Sequence, residues 1–499
     1  MADKKKNVKK QKLRNAEYYD MQEIFDGLYE KSRAGKIFTN LVDIMKSSEN
    51  IKLAYRNMRK NSGSKTAGAD KKTISDLNKW NEKRLIEHVQ KKLDWYVPQK
   101  VRRVEIPKEN GKTRPLGIPT TMDRLIQQCV LQVLEPICEA KFFERSNGFR
   151  PNRSAENAVA QAERMIQRMN LHYVVDVDIK SFFDNVNHGK LLKQMWSLGI
   201  RDKKLISIIS AMLKAEVAGI GFPEKGTPQG GIISPLLSNI VLNELDWWVT
   251  SQWENFPTKH DYIHRVYANG TPDKSGAIAM MRKNSNLKEC YIVRYADDFK
   301  IFCRSREDAV KMFEATKEWL NDRLGLDISP EKSKVVNLKR HSSEFLGFKM
   351  KVRIKGKKKN GQPKYVVEAH VKEAKLQKIK QHCKYIMGLL RNTYDKKMEY
   401  KLIQMYNSYL IGVHNYYSIA THVNLDFQTI AYDVKKSFYN RLKHRITKSG
   451  TITNHFIKRQ YGKSREVRYM GGNAIVPIAY VQHRVPLDKK RSINKYTPQ

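Results

Sequence analysis

Two β-rich stretches carry acids at their ends, and this pattern narrows the folds open to the chain more than any other feature. Residues 172–179 form one extended run closing on Asp178; far downstream, residues 290–303 alternate as a hairpin with Tyr295-Ala296-Asp297-Asp298 at its tip. Acids gathered at the ends of buried strands repel one another, so the arrangement is stable mainly when divalent metal neutralises them. An Asp-Asp pair alone is also a common turn element. The segment between the two acidic sites tips the reading, because Pro228-Gln229-Gly230-Gly231 is a glycine turn where backbone can approach a base pair, and Ser234-Pro235 then opens a helix. Two Mg²⁺ held about 3.5–4 Å apart by such acids can activate a hydroxyl nucleophile and neutralise a leaving pyrophosphate. The pattern therefore points to nucleotidyl transfer.

Charge agrees with a polyanionic partner. Lys and Arg number 94 against 51 Asp and Glu, a formal +43. Such an excess self-repels unless neutralised, and nucleic acid does this with counterion release. Dense clusters occur at 355–359 and 435–448. No run is apolar enough for a membrane span, and the lysines at the N-terminus lack the apolar stretch of a secretory signal. Five cysteines (Cys129, Cys138, Cys290, Cys303, Cys383) are scattered without a C-x-x-C pair, which argues against a disulfide framework and for a reducing cytoplasm.

The remaining periodicity is mostly helical. Apolar residues recur at three- and four-residue steps over 37–59, 77–93, 122–143, 154–169, 188–198, 203–213, 234–248 and 306–324. Residues 101–107 and 113–118 read as a hairpin with Lys108 and Arg114 flanking its tip. The stretch 252–289 is polar and irregular, as in an insertion. A basic loop at 355–363 reads as a boundary, followed by helical segments over 371–391, 400–418 and 427–446; the tail from Pro477 finishes no element.

Taken in order, these motifs resemble the group II intron-encoded reverse transcriptases with their maturase region. The resemblance rests on Ile106-Pro107-Lys108 through Arg114 to Pro119, Gly148 to Ser154, Asp178 to Asp184, Pro228 to Pro235, the YADD tip and Phe345-Leu346-Gly347-Phe348. It implies an α+β right-hand polymerase. The division expected is a basic disordered arm (1–36), N-terminal extension and fingers (37–175), a palm with an antiparallel sheet (176–350, insertion 252–289), a helical thumb and maturase domain (364–450) and a basic, DNA-binding C-terminal region (451–499).

The resemblance also implies roles. Asp178, Asp297 and Asp298 would bind two Mg²⁺, or Mn²⁺ in their place, with the Ile179 carbonyl assisting. Lys108 and Arg114 would grip the incoming triphosphate, and Phe183 would lie under the sugar and exclude a 2′-hydroxyl; ordinary readings are a solvated hairpin and core packing. Gln229 and Gly230 would contact the nascent pair, and Leu346 and Gly347 the primer strand. Asp176 and Asp184 read as structural. Tyr406, Tyr409, Tyr416 and Tyr417 interleave with basic residues and either stack on bases or fill a core.

The partners implied are group II intron RNA, template RNA, primer DNA and target DNA, in a bacterial cytoplasm. Members with a homing endonuclease carry paired cysteines in a C-terminal HNH module, and none follows Cys383; the reading favours a shortened C-terminus. Rival readings are a retron, diversity-generating or defence-type reverse transcriptase, an RNA-binding splicing factor, and an RNA-dependent RNA polymerase. The length of chain after Phe348 argues against the first, the intact acids against the second, and Phe183 with the YADD alanine against the third.

Overall fold

The computed structural model describes residues 14–107, 111, 113–260, 265–266, 273–488 and 494–496, with backbone alone at 62. At its centre lies a four-stranded antiparallel sheet built from β-branched and aromatic residues. In chain order the strands that matter are β1 (Arg102–Pro107), β2 (Thr113–Ile118), β3 (Tyr173–Val177), β4 (Cys290–Tyr295), β5 (Asp298–Cys303) and β6 (Lys334–Asn337). The central sheet runs β4-β5-β3-β6. Val177 pairs with Phe299, so continuing the register by one residue sets Asp178 opposite Asp298, and the tight β4–β5 turn pairs Tyr295 with Asp298. Both acidic motifs thus emerge at one end of the sheet.

Helix Ser234–Ser251 packs along β4 and is apolar around most of its circumference because it is buried on nearly all sides. Asp246 interrupts that apolar surface. Its carboxylate is fully buried and receives Arg294 of β4 through Nε at 2.8 Å and Nη2 at 2.6 Å. Burial pushes the Asp246 carboxyl up, and Arg294 pulls it back toward the ionised form.

Residues 14–59 pack against helix Thr121–Glu139. Phe25, Leu28, Leu41, Met45, Ile51 and Met58 enter the main core, and Asp202 ties this region down by accepting from the Leu41 and Val42 amides at 2.7 and 3.1 Å. The expected disordered arm over 1–36 is thus corrected for 14–36: helix Gln22–Arg33 offers buried Phe25, Leu28 and Ser32 on one face, and Ser32 Oγ donates to the Ile137 carbonyl at 2.8 Å.

A second core begins beyond the sheet. β7 (Ser343–Phe345), β8 (Phe348–Lys357) and β9 (Pro363–Val371) form an antiparallel meander. The basic run at 355–359, expected to mark a boundary, is the end and tip of the β8–β9 hairpin. Cross-strand pairing on both sides of the tip explains the difference. Helices Glu373–Arg391, Lys396–Tyr417 and Val423–Leu442 follow. In the first, Leu376, Ile379, Cys383, Ile386, Met387 and Leu390 recur every three or four residues and are all buried. Tyr406 and Tyr417 belong to this core, Tyr409 is half-buried, and Tyr416 is exposed.

Among the described residues of the C-terminal part, β10 (Ile446–Thr447), β11 (Arg468–Met470) and β12 (Asn473–Ile475) form a small sheet. The presumed insertion contains helix Ser275–Asn284.

Removing one member of a buried ion pair strands the other charge away from water. Asp246→Ala should therefore lower stability by about 3–5 kcal/mol, read as a shift in denaturant midpoint, whereas a loss below 1 kcal/mol would show the pair to be expendable.

Candidate active site

The β4–β5 turn is held from behind by buried polar contacts. Arg294, anchored on Asp246, also donates through Nη1 to the Ala296 carbonyl at 2.9 Å and to Asn239 Oδ1 at 3.0 Å. Asn239 in turn donates to the Gly148 carbonyl at 2.8 Å. Gly148 lies so close that a Cβ there would fall 2.2 Å from the Ala296 amide nitrogen. The glycine of the Gly148-Phe149-Arg150 motif is therefore required by the turn it supports. Ala296 itself adopts φ 58°, an unfavourable backbone for a residue with a side chain, and these contacts hold it there.

Asp297 and Asp298 differ in surroundings. Burial, with the nearby negative charge of Asp178, raises the Asp297 carboxyl, while Arg114 opposes the shift. Asp298 is pushed up to about 6, chiefly by burial and further by Asp297 and Asp176, against Lys300 and a hydrogen bond from the Leu346 amide. Lys300 is engaged elsewhere as well: its Nζ lies 3.2 Å from Asp176 Oδ1 and 3.9 Å from Asp298 Oδ1. Asp176 is buried and also accepts from Ser343 Oγ at 2.7 Å, which matches its structural reading.

Asp178 sits just beyond β3. Its amide donates to Ser333 Oγ at 3.1 Å, and Lys332 Nζ lies 3.1 Å from its Oδ2. The Asp178 carbonyl and Lys180 amide pair with Ser329 and Asp327, so the intervening Ile179 turns its own carbonyl away from that segment. The three carboxylates share one end of the sheet, but their oxygens are not all within 4.8 Å of one another. The donor set is nonetheless all oxygen, two of its acids are raised by burial and mutual charge, and this fits hard divalent cations.

A second group of predicted residues converges beside these acids. Arg114 on β2 donates through Nε to Gln229 Oε1, and Gln229 Nε2 donates to Asp184 Oδ1 at 3.3 Å. The Arg114 guanidinium lies 5.9 Å from the centroid of the Phe183 ring. Phe183 is buried, edge-on to Phe182, and its carbonyl accepts from the Thr227 amide at 2.7 Å. Asp184, read as structural from the sequence, thus orients Gln229. Gly230 is pressed against β2, where a Cβ would come 2.2 Å from the Gly117 carbonyl oxygen. Close backbone packing therefore supplies a reason for this glycine within the protein itself. Lys108 lies outside the described residues.

Leu346 and Gly347 form the β7–β8 turn. Leu346 adopts φ 52° and its carbonyl accepts from Tyr416 Oη at 2.9 Å; the Gly347 carbonyl accepts from the Lys372 amide at 2.9 Å. This turn connects Asp298 to the helical module. Sequence reasoning missed Arg294, Asp246, Asn239 and Lys332. Asp246 left a detectable signal, an acid inside an apolar helix, whereas Lys332 is one lysine among many.

A reverse transcriptase (RNA-dependent DNA polymerase) family profile matches residues 106–350, the span from β1 through the central sheet. Among curated proteins, the group II intron-encoded protein LtrA of Lactococcus lactis subsp. cremoris is 32% identical over 483 residues, covering 84% of this chain and 77% of LtrA. Protein YkfC of Escherichia coli (strain K12) is 34% identical over 263 residues, 51% of this chain and 68% of YkfC. A putative COX1/OXI3 intron 2 protein of Saccharomyces cerevisiae is 26% identical over 371 residues, 68% of this chain and 42% of the yeast protein. A likeness to LtrA along most of both chains, with the polymerase profile across the acids, settles the family: the chain is a group II intron-encoded protein, an RNA-directed DNA polymerase that acts in intron splicing and mobility.

Proposed function

We propose that Asp178, Asp297 and Asp298 are the catalytic carboxylates of this polymerase, and that the fold divides as a right hand. Residues 37–175 act as N-terminal extension and fingers, the central sheet as palm, and the three helices of the second core as thumb and maturase surface. The observation that carries this reading is the register of β3 against β5, which sets Asp178 opposite the Asp297-Asp298 turn. Mg²⁺, with Mn²⁺ as substitute, would be held by the three acids and the Ile179 carbonyl. When bound, the cations supply neutralisation of the triphosphate and a lower pKa for the primer hydroxyl.

The protein's own groups do the rest. Arg114, with Lys108, binds the triphosphate as a charge-assisted donor, and Gln229, itself held by Asp184, fixes the guanidinium in place. Phe183 fills the space a ribose 2′-hydroxyl needs. Gly230 keeps the turn thin beneath the nascent pair, and Leu346 and Gly347 carry the primer end to Asp298. The partners are intron RNA as template, primer DNA and target DNA, and the setting is a bacterial cytoplasm.

The maturase surface lies on exposed tyrosines rather than on those interleaved in the core. Tyr432 and Tyr439 are 70% and 61% exposed on helix Val423–Leu442, and Lys436 and Lys443 are exposed nearby. Lys435, in contrast, is paired with Glu466. Stacking platforms beside cations suit unpaired bases of structured RNA.

Three outcomes are expected. Replacing Asp297 and Asp298 together with alanine should abolish primer extension on an RNA template and leave RNA affinity nearly unchanged, since phosphate contacts dominate binding; full-length cDNA from the double variant would remove these acids from catalysis. Phe183→Ala should raise ribonucleotide use relative to deoxyribonucleotide by about tenfold in the ratio of kcat/KM; an unaltered ratio would make Phe183 a packing residue only. Tyr432→Ala with Tyr439→Ala should weaken binding of the cognate intron by at least about tenfold and slow its splicing at low Mg²⁺. Extension on an unrelated template should persist, and undiminished splicing would place the intron elsewhere.

A further inference from the structure

Apart from the proposed catalytic acids, Glu368, His370 and His422 bring one carboxylate oxygen and two imidazole nitrogens within 4.8 Å of one another. The arrangement follows from the fold. Glu368 and His370 are two residues apart on β9 and so share one face of the hairpin. His422 arrives on the turn between helices Lys396–Tyr417 and Val423–Leu442, where its amide donates to the Ala369 carbonyl at 3.1 Å. The two imidazole rings stack with centroids 4.7 Å apart.

The hydrogen bonds also fix which nitrogens are free to coordinate. His370 Nδ1 lies 2.7 Å from Asp426 Oδ1 and Nε2 lies 3.1 Å from Glu368 Oε1; with Nδ1 donating to Asp426, a cation would take the place of the Nε2 proton between the ring and Glu368. Asp426 is itself locked, accepting from the Val371 amide at 2.7 Å. Thr421 Oγ1 accepts from the Ala369 amide at 2.8 Å and donates to the Ala369 carbonyl at 3.2 Å. Its 2.9 Å contact with His422 Nδ1 is therefore a bond donated by the ring, which leaves His422 Nε2 as the lone pair. Two histidines oriented through Nδ1 by outer partners, one of them a carboxylate, reproduce the carboxylate–histidine–metal relay. Two ligands about 2.0–2.1 Å from a tetrahedral ion lie roughly 3.3 Å apart, close to the separation of His370 Nε2 from Glu368 Oε1.

We propose that Glu368, His370 and His422 form a Zn²⁺ site, with Asp426 and Thr421 orienting its histidines, which clamps helix Val423–Leu442 to the β8–β9 hairpin. Imidazole nitrogens with a carboxylate oxygen match zinc rather than the hard cations suited to the aspartates. His370 and its partner Asp426 also line a polar cleft of about 700 Å³ between β6, the hairpin and the helix. Lys351 and Arg353 approach the other Glu368 oxygen, Oε2, at 3.6 and 4.0 Å and leave Oε1 to the site.

The test uses full-length protein stripped with chelator, then dialysed against Zn²⁺ in millimolar Mg²⁺ so that the aspartates are occupied. Elemental analysis should find one zinc per chain, and saturating zinc should raise the melting temperature by a few degrees. His422→Ala, whose side chain is only partly buried, should reduce zinc affinity by more than tenfold, and Asp426→Asn by about 10–100-fold as an outer partner. Cobalt in place of zinc should give the visible absorption of a four-coordinate site, a readout that requires no variant. Absence of stoichiometric zinc, absence of that absorption, or equal retention of zinc by His422→Ala would each overturn the proposal.

Discussion

Arg294 and Asp246 are both fully buried, and the position of the acidic turn depends on their contact. A guanidinium loses its hydration there, so it persists only because its donors meet Asp246, Asn239 and the Ala296 carbonyl. The pair performs two tasks with one set of atoms. It ties helix Ser234–Ser251 to β4, and it holds Ala296 in the left-handed conformation that presents Asp297 and Asp298 side by side. Gly148 completes the support by fitting where no Cβ could. Stability and the geometry of the acidic turn are therefore coupled at this point.

Much of this was legible in the sequence, and what escaped did so for identifiable reasons. The hairpins β1–β2 and β4–β5 announced themselves through alternation and turn residues, and the helical module through three- and four-residue spacing. Asp178 and the YADD tip could be placed in order but not in register; the pairing of Val177 with Phe299 had to come from the fold. The run at 355–359 read as part of a boundary loop because lysines dominate it, although strand pairing, not composition, decides such a segment. His422 showed no ligand spacing because its neighbours Glu368 and His370 lie more than fifty residues earlier, beyond any local motif. Helix Gln22–Arg33 was obscured by the lysines that precede it, yet its Phe25 and Leu28 are core residues.

Electrostatics separates the site from the rest of the surface. A chain with formal +43 favours anions almost everywhere. The central sheet instead gathers its acids at one end, where burial raises Asp297 and Asp298. Lys332 beside Asp178 and Lys300 beside Asp298 temper the repulsion without removing it. Under the proposed assignment, phosphate is attracted by the surrounding cations but meets carboxylates at the acidic end, and divalent metal would bring the two together.

The C-terminal segment determines how firmly the helical module is held against the sheet. Arg484 bridges the two: its backbone amide donates to the Ser418 carbonyl at 2.9 Å and its Nε to Ser418 Oγ at 3.1 Å, while the guanidinium also donates to Glu156 at the start of helix Ala155–Gln167. Asn157 and Gln161 on that helix extend the contact to the Leu487 carbonyl and Asp488. Farther on, Tyr496 is buried in the main core, stacked on Tyr29 at 5.9 Å and hydrogen-bonded to Glu135. Tyr416 also donates to the Leu346 carbonyl next to Asp298. The module is consequently fastened by a charge-assisted contact at Arg484 and by the Tyr416 hydrogen bond, so moving it would require breaking both. Under the proposed right-hand division, cleft walls fastened in this way lose little conformational freedom when nucleic acid fills the cleft, and more of the contact energy is retained as affinity.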